Sequence, residues 1–257
     1  MNFGSIGSDK SGNEPRRAEV GVLTATGPET QAVTAVLRQM CGYQQRDHPS
    51  AFEAWLPDRR GRRVRVAAMP DYRCLIEEYR PATVLLVGVA GGVGRRVRIG
   101  DVVIGKRVIE HDYRQETAAG TLRRGQAREI SADLTNRLAE FTRTVPDEQL
   151  RPADGSFRIH CGPIGSGNAV VTDANAEIRR WLYEFHERVL AVETGAARAA
   201  HAFHENLRHD STRGWLTIRG IADTADEPKG GHETTAANHA AEVMAMLLPY
   251  LYFATPG

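Results

Sequence analysis

The residues that most clearly suggest chemistry lie in one stretch, 214–226, which reads GWLTIRGIADTAD. Its apolar start predicts a buried strand over 215–218. The strand runs into Arg219 and ends near two acids, Asp223 and Asp226. Ligands of open α/β sheets bind outside the carboxyl ends of the strands, so an arginine and an aspartate delivered there form a candidate site. The other interpretation is a core strand whose aspartate caps the following turn.

A third charged candidate, Glu29, follows another predicted strand. Residues 19–24 (EVGVLT) predict the first buried strand, and Pro28 suits the first turn of a helix. Apolar residues recur with the helical period from Glu29 to Met40, which predicts that helix. Glu29 is therefore either a functional carboxylate at a strand end or an acid stabilised by the helix dipole.

Two glycine-bearing segments follow further predicted strands. The continuous apolar run 83–87 indicates a strand buried on both faces, and it leads into a predicted loop at 88–94 (GVAGGVG). The strand predicted at 157–164 leads into a second loop, 165–171 (GSGNAVV). Glycines let a backbone approach a ligand closely, but the spacing is not that of the dinucleotide fingerprint.

The remaining pattern predicts strands and helices around a single central sheet. We expect a hairpin over 51–56 and 63–69, a surface excursion at 114–130, and a helix over 131–144 with Ser131 as its N-cap. A loop at 146–156, a helix at 173–185, a short strand at 189–192, a helix at 196–206, a polar loop at 227–234 and a last helix at 235–252 complete the series. The Gly, Ser and charged residues of 1–17 predict a disordered tail, and we expect one domain over 18–254.

Composition excludes several classes of function. The formal net charge of +1 gives no general attraction to nucleic acid or membrane surfaces. No apolar run approaches the ~20 residues of a membrane span, and the first residues lack a secretory core. Three cysteines without CxxC spacing suggest reduced thiols, so a cytoplasmic protein is expected. His201 and His204 do not form a zinc motif, and no metal site is expected.

Four segments together resemble one family. They are VGVLTATGPE, VGVAGGVGRRVRIGDVVIG, GPIGSGNAVV, and AVETGAARAA followed by GWLTIRGIADTAD. This set is similar to the nucleoside phosphorylase and nucleosidase superfamily, which includes purine nucleoside phosphorylases and methylthioadenosine/S-adenosylhomocysteine nucleosidases. The resemblance implies an α/β fold, a single three-layer α/β/α domain with a central mixed, partly barrel-like sheet. It implies a homo-oligomer that cleaves the N-glycosidic bond of a purine nucleoside. It implies no cofactor, with phosphate a co-substrate only in a phosphorylase.

The resemblance also assigns residues. Asp223 matches the acid that protonates the purine base, a form of help worth ~10²–10⁴-fold. Arg219 resembles the arginine near the water or phosphate nucleophile, and Glu29 matches the carboxylate that positions and activates water. The matching substrate-binding residues are Gly91, Gly92, Val170, Val171, Glu193 and Thr194.

Three positions depart from the family pattern. Gly195 stands where the family carries an acid for the ribose hydroxyls, and Ala222 replaces a small hydroxyl residue. The segment 69–73 stands where the family has a further strand end, a glycine-containing turn and the first half of a helix, so the resemblance implies a truncation here. It would leave CLIEEY (74–79) too short for a free-standing helix. Glu29 favours a hydrolase over a phosphorylase. A non-catalytic nucleoside-binding or protein-interaction module remains the alternative.

Overall fold

The structure, a computed structural model, describes residues 17–45, 51–118, 120–145, 157–197, 214–225 and 231–251. The predicted tail (apart from Arg17), the loop at 146–156, most of the helix predicted at 196–206, the first half of the polar loop at 227–234 and Asp226 lie outside these ranges. In the part of the chain that is described, no helix is long and apolar enough to cross a bilayer.

Twelve strands are formed by the described residues. They are β1 (Val20–Leu23), β2 (Cys41–Gln45), β3 (Phe52–Pro57), β4 (Arg63–Met69), β5 (Thr83–Gly92), β6 (Val102–Glu110), β7 (Arg114–Thr117), β8 (Gly120–Arg123), β9 (Gln126–Glu129), β10 (Ile159–Ser166), β11 (Ala191–Glu193) and β12 (Gly214–Asp223).

Helices connect these strands. They are α1 (Gly27–Leu37), α2 (Tyr72–Tyr79), α3 (Ala132–Thr144), α4 (Glu177–Phe185) and α5 (Glu233–Leu247), and α5 is followed by a 3₁₀ turn, Leu248–Tyr250. Ser131 caps α3 as predicted, since its hydroxyl accepts a hydrogen bond from the Leu134 amide.

The main sheet closes part of itself into a ring. Its order is β11-β10-β6-β12-β5-β1-β4-β3-β2, and β11 also pairs antiparallel with β5 through Ala191–Gly92 and Val192–Gly91. Five strands (β5, β12, β6, β10 and β11) therefore form a closed barrel, while β1, β4, β3 and β2 extend from it as an open sheet. The predicted mixed α/β fold with a partly barrel-like sheet is confirmed.

Helix α5 locks onto the barrel at β12. A Cβ atom on Gly220 would overlap the backbone carbonyl of Ala236, so only a glycine lets the first turns of α5 approach this strand. The buried face of α5 is mostly alanine with Val243, Met244 and Leu247, and the helix also packs on β5, β6 and α1. This contact fixes the start of α5 beside the carboxyl end of β12.

The structure corrects two predictions. Residues 88–92 are not a loop but the second half of β5, because their backbone pairs with β12 and β11. The helix α2 is complete rather than truncated, since the Asp71 carboxylate caps it at the Cys74 amide. Its eight residues stay helical because Leu75, Ile76 and Tyr79 are buried.

Boundaries differ elsewhere. Strand β2, the outer partner of β3, was not predicted, and its side chains are mostly exposed. The excursion at 114–130 contains the small β7–β8 hairpin and β9, which pairs with β6. Helix α4 begins at Glu177, four residues later than predicted, and α5 begins two residues earlier.

Candidate active site

Asp223 is the last residue of β12 and is placed by a bulge. The register with β5 shifts between Ile221 and Asp223, which brings Asp223 opposite Gly91. The Asp223 Oδ1 atom accepts a hydrogen bond of 2.9 Å from the Ala225 amide, and Ala225 adopts a φ of 54°. A Cβ atom on Gly91 would lie 2.6 Å from that Oδ1, so the carboxylate rests directly on the glycine.

Arg219 and Glu193 form a buried ion pair inside the ring. The distance between Arg219 Nη2 and Glu193 Oε2 is 2.7 Å, and the two side chains are 6% and 3% exposed. Glu193 also accepts hydrogen bonds from the Gly195 and Ala196 amides, at 2.8 Å each. Through these three partners Glu193 fixes the position of the Arg219 guanidinium.

Glu29 is held rigidly at the start of α1. Its Oε2 accepts from the Ala25 and Thr26 amides at 2.7 and 2.9 Å, and its Oε1 accepts from the Val89 amide at 2.9 Å. Thr26 and Glu29 form a capping box, so the Glu29 carboxylate also caps the start of α1. A helix cap does not require the bond from the Val89 amide of β5, and this bond joins the Glu29 carboxylate to the barrel.

Glu29 and Arg219 meet at one point. A Cβ atom on Gly88 would overlap both the Glu29 carboxylate and the Arg219 guanidinium, so the two groups crowd the same face of β5. An acceptor and a donor side by side suit a small polar molecule such as water.

The segment after β10 forms another wall. Val170 is 59% exposed and Val171 is 8% exposed. The Asn168 amide donates to the Asp112 carboxylate, and the Ala197 amide donates to Ser166 Oγ at 2.8 Å, which anchor both sides of this segment. The two valines thus present an apolar edge on a fixed support.

These residues surround one cavity of ≈ 160 Å³. Among the described residues its walls are Ala25, Thr26, Glu29, Val89, Ala90, Gly91, Ala169, Val170, Val171, Val192, Glu193, Thr194, Gly195, Arg219, Ala222, Asp223 and Glu233. Ligand sites usually measure about 300–1,000 Å³. The cavity is therefore smaller than most ligand sites.

The sequence-predicted residues converge on this cavity with one exception. Gly92 does not line it, because a side chain there would point at Ile221 and Val97 inside the barrel. Glu233, in the first turn of α5, lines the cavity but was not predicted. The sequence indicates only an acid favoured at a helix N-terminus. Its position near β12 depends on a tertiary contact that the sequence pattern does not show.

The cavity has an acidic lining. The described residues contribute four carboxylates, from Glu29, Glu193, Asp223 and Glu233, against the single guanidinium of Arg219. Among the same residues, no group of three or more His, Cys, Asp or Glu side chains is arranged to hold a metal ion. The charge balance therefore favours neutral or cationic ligands over anions.

Comparison with known proteins agrees with this geometry. The family model described as "Phosphorylase superfamily" matches residues 68–250, which is most of the chain. The chain belongs to the phosphorylase superfamily. The match includes β5, β11 and β12, and with them Arg219 and Asp223. Glu29 precedes it, so its place in this phosphorylase-superfamily site rests on its contacts with β5 and Gly88.

Individual relatives of this superfamily member are nucleosidases. A 5'-methylthioadenosine/S-adenosylhomocysteine nucleosidase of an Exiguobacterium species is 28% identical over 183 residues, covering 67% of this chain and 71% of the relative. The S-adenosylhomocysteine nucleosidase of Streptococcus pyogenes, solved with 5-methylthiotubericidin, superposes with a TM-score of 0.67 at 18% identity, covering 92% of this chain and 98% of that one.

A third likeness is the 5'-methylthioadenosine/S-adenosylhomocysteine nucleosidase of Neisseria meningitidis, solved in complex with methylthio-immucillin-A. It superposes with a TM-score of 0.63 at 23% identity and covers 90% of this chain and 98% of that one. At these identities the two solved structures establish the shared fold.

Proposed function

We propose that this protein is a purine nucleoside N-ribohydrolase. The observation that carries the proposal is the convergence of Glu29, Arg219 and Asp223 on one cavity of a phosphorylase-superfamily fold. The nucleosidases similar to the chain support the same reaction, hydrolysis of an N-glycosidic bond.

Asp223 is the proposed general acid. A purine leaves readily only when its N7 is protonated, and departure leaves an oxocarbenium-like sugar, as in other glycoside cleavages. The Oδ1 atom of Asp223 is held by the Ala225 amide, whereas its Oδ2 atom has no hydrogen-bond partner among the described residues. That oxygen is free to carry a proton toward a base lying against Val170 and Val171.

Glu29 and Arg219 are proposed to hold the nucleophilic water. The water oxygen bonds to the anomeric carbon as the bond from that carbon to the base nitrogen breaks. One water proton passes to Glu29, and the departing base takes its proton from Asp223. The ion pair with Glu193 orients the Arg219 guanidinium toward this water.

Water rather than phosphate is the proposed nucleophile. Phosphate would have to enter among four carboxylates with one guanidinium, which Glu193 already neutralises. Like charges at close range disfavour the anion. A hydrolase therefore fits this cavity better than a phosphorylase.

The test is base release. The protein is incubated with adenosine, inosine, 5'-methylthioadenosine or S-adenosylhomocysteine, each with and without phosphate, and free base is followed. We expect base release that does not depend on phosphate. Phosphate dependence would make the protein a phosphorylase. Ligand binding by calorimetry without base release would favour a non-catalytic nucleoside-binding module. The observation that favours this second candidate is Gly195, which stands where the family carries an acid.

A further inference from the structure

The hydrogen bonds of the four cavity carboxylates divide them into two kinds. Glu29 and Glu193 have both oxygens engaged by amides or by Arg219. Asp223 has one oxygen engaged. Glu233 has neither a hydrogen bond nor an ion pair among the described residues, although it lines the cavity. Within the described ranges, Glu233 is thus the cavity carboxylate whose two oxygens have no partner.

In the wall formed after β11, Gly195 offers a ligand no side chain. Gly195 lines the cavity, and a Cβ atom there would meet Glu193 Oε2 at 3.5 Å and Arg219 Nη2 at 3.6 Å, which are ordinary contacts. The space beside Gly195 therefore exists but carries no acceptor side chain of its own. The carboxylate beside this space, that of Glu193, already accepts from Arg219 and from two backbone amides.

Glu233 is mounted on a rigid element. It occupies the first turn of α5, and the Ala236 carbonyl three residues later lies tightly against Gly220 of β12. The backbone of Glu233 is therefore fixed relative to Arg219 and Asp223, which lie on β12 with Gly220. A group held by packing in this way is suited to orient a ligand.

We propose that Glu233 binds the sugar hydroxyls of the nucleoside and makes the site selective for ribose. The inference rests on the proposed function. An ionised carboxylate only accepts hydrogen bonds and has two oxygens, which matches two adjacent hydroxyl donors such as those at the 2' and 3' positions. Loss of these charge-assisted bonds corresponds to about a 10–100-fold loss of affinity.

The experiment compares adenosine with 2'-deoxyadenosine. Both are titrated calorimetrically into Asp223→Asn protein and into the same protein carrying Glu233→Ala, so that turnover does not interfere. We expect Glu233→Ala to weaken adenosine binding about 10–100-fold and 2'-deoxyadenosine binding less, which lowers the preference for ribose. Thr234→Ala, at the exposed neighbouring position outside the cavity, is the matched control and should leave both affinities unchanged.

The outcomes separate this proposal from the proposed function. Unchanged adenosine affinity in Glu233→Ala, or an equal loss for both nucleosides, would overturn the role of Glu233 alone. Absence of base release in the wild type, with the expected binding pattern retained, would overturn hydrolysis but support Glu233. Failure of both nucleosides to bind before Glu233 is changed would overturn both.

Discussion

Arg219 and Glu193 are joined by a 2.7 Å ion pair that spans the barrel from β12 to β11, two strands that are not neighbours in the sheet. We expect Glu193→Gln to cost about 3–5 kcal/mol of unfolding free energy, because it leaves the guanidinium buried without its counter-charge. Urea denaturation measures this loss. Glu77→Gln, at the exposed pair with Arg73, is the control and should change stability by no more than about 1 kcal/mol. Equal effects of the two changes would contradict a structural role for the buried pair.

Asp223→Asn should lower the rate of base release about 10²–10⁴-fold while the protein stays folded, because an amide cannot supply the proton. Steady-state kinetics and circular dichroism together check this. Asp133→Asn, at an exposed acid in the first turn of α3, should leave the rate unchanged. Retained activity in Asp223→Asn would remove Asp223 from the role of acid.

Gly91→Ala should abolish most activity, since the new methyl group would lie 2.6 Å from Asp223 Oδ1 and 2.8 Å from Ala225 Cβ. The acid would have to move off the strand that supports it. Gly27→Ala serves as the comparison, because a Cβ atom there meets no atom within 4 Å. Kinetics of the two variants side by side test the claim, and an active Gly91→Ala enzyme would show that Asp223 tolerates displacement.

His111 should make stability depend on pH. Burial is the main cause that lowers the pKa of His111 below its usual 6.5, helped by Arg123 and opposed by Asp112 and Glu193. The unfolded chain takes up this proton more readily than the folded chain. The stability that neutral His111 contributes is therefore fully present above pH 6.5 and is lost as the pH falls from 6.5 through the folded-state pKa.

Urea denaturation at pH 7.5 and at pH 5.5 checks this window. The fall should be smaller in His111→Phe, which keeps a ring in the buried position without the titration. Asp101 provides a separate control. Burial raises the pKa of Asp101, but hydrogen bonds led by that from His160 outweigh the burial and lower the pKa below the usual 3.8. The stability that ionised Asp101 contributes is therefore lost only below the two pH values compared. An unchanged pH dependence in His111→Phe would contradict the prediction.

Local pattern was sufficient to predict much of the fold. The apolar runs of β1, β5 and β12, the helical period of α1 and the Ser131 cap are all encoded by neighbours in sequence. The extent of β5 was not, because glycines 88, 91 and 92 read as a loop until their backbones pair with β11 and β12. The helix α2 was underestimated because its stability comes from burial of Leu75, Ile76 and Tyr79 rather than from its length.

The site shows the same division. Asp223 and Glu29 could be picked out because each follows a predicted strand. Glu233 could not, since its place in the cavity depends on the contact between Gly220 and α5. The engagement of Glu193 by Arg219 was equally invisible, because it joins strands that only the closed ring brings together.

The pairing of β11 with β5 also bears on how the protein gains its activity. Ala191 and Val192 join Gly92 and Gly91 across a long stretch of intervening chain. Such non-local pairings are intrinsically slow to form because loop closure costs entropy before any contact rewards it. Until β11 pairs with β5, the Glu193 side of the cavity is not fixed against Gly91 and Asp223. Recovery of base release after dilution from denaturant should therefore lag behind recovery of secondary structure, with a catalytically silent intermediate that already contains much of the sheet.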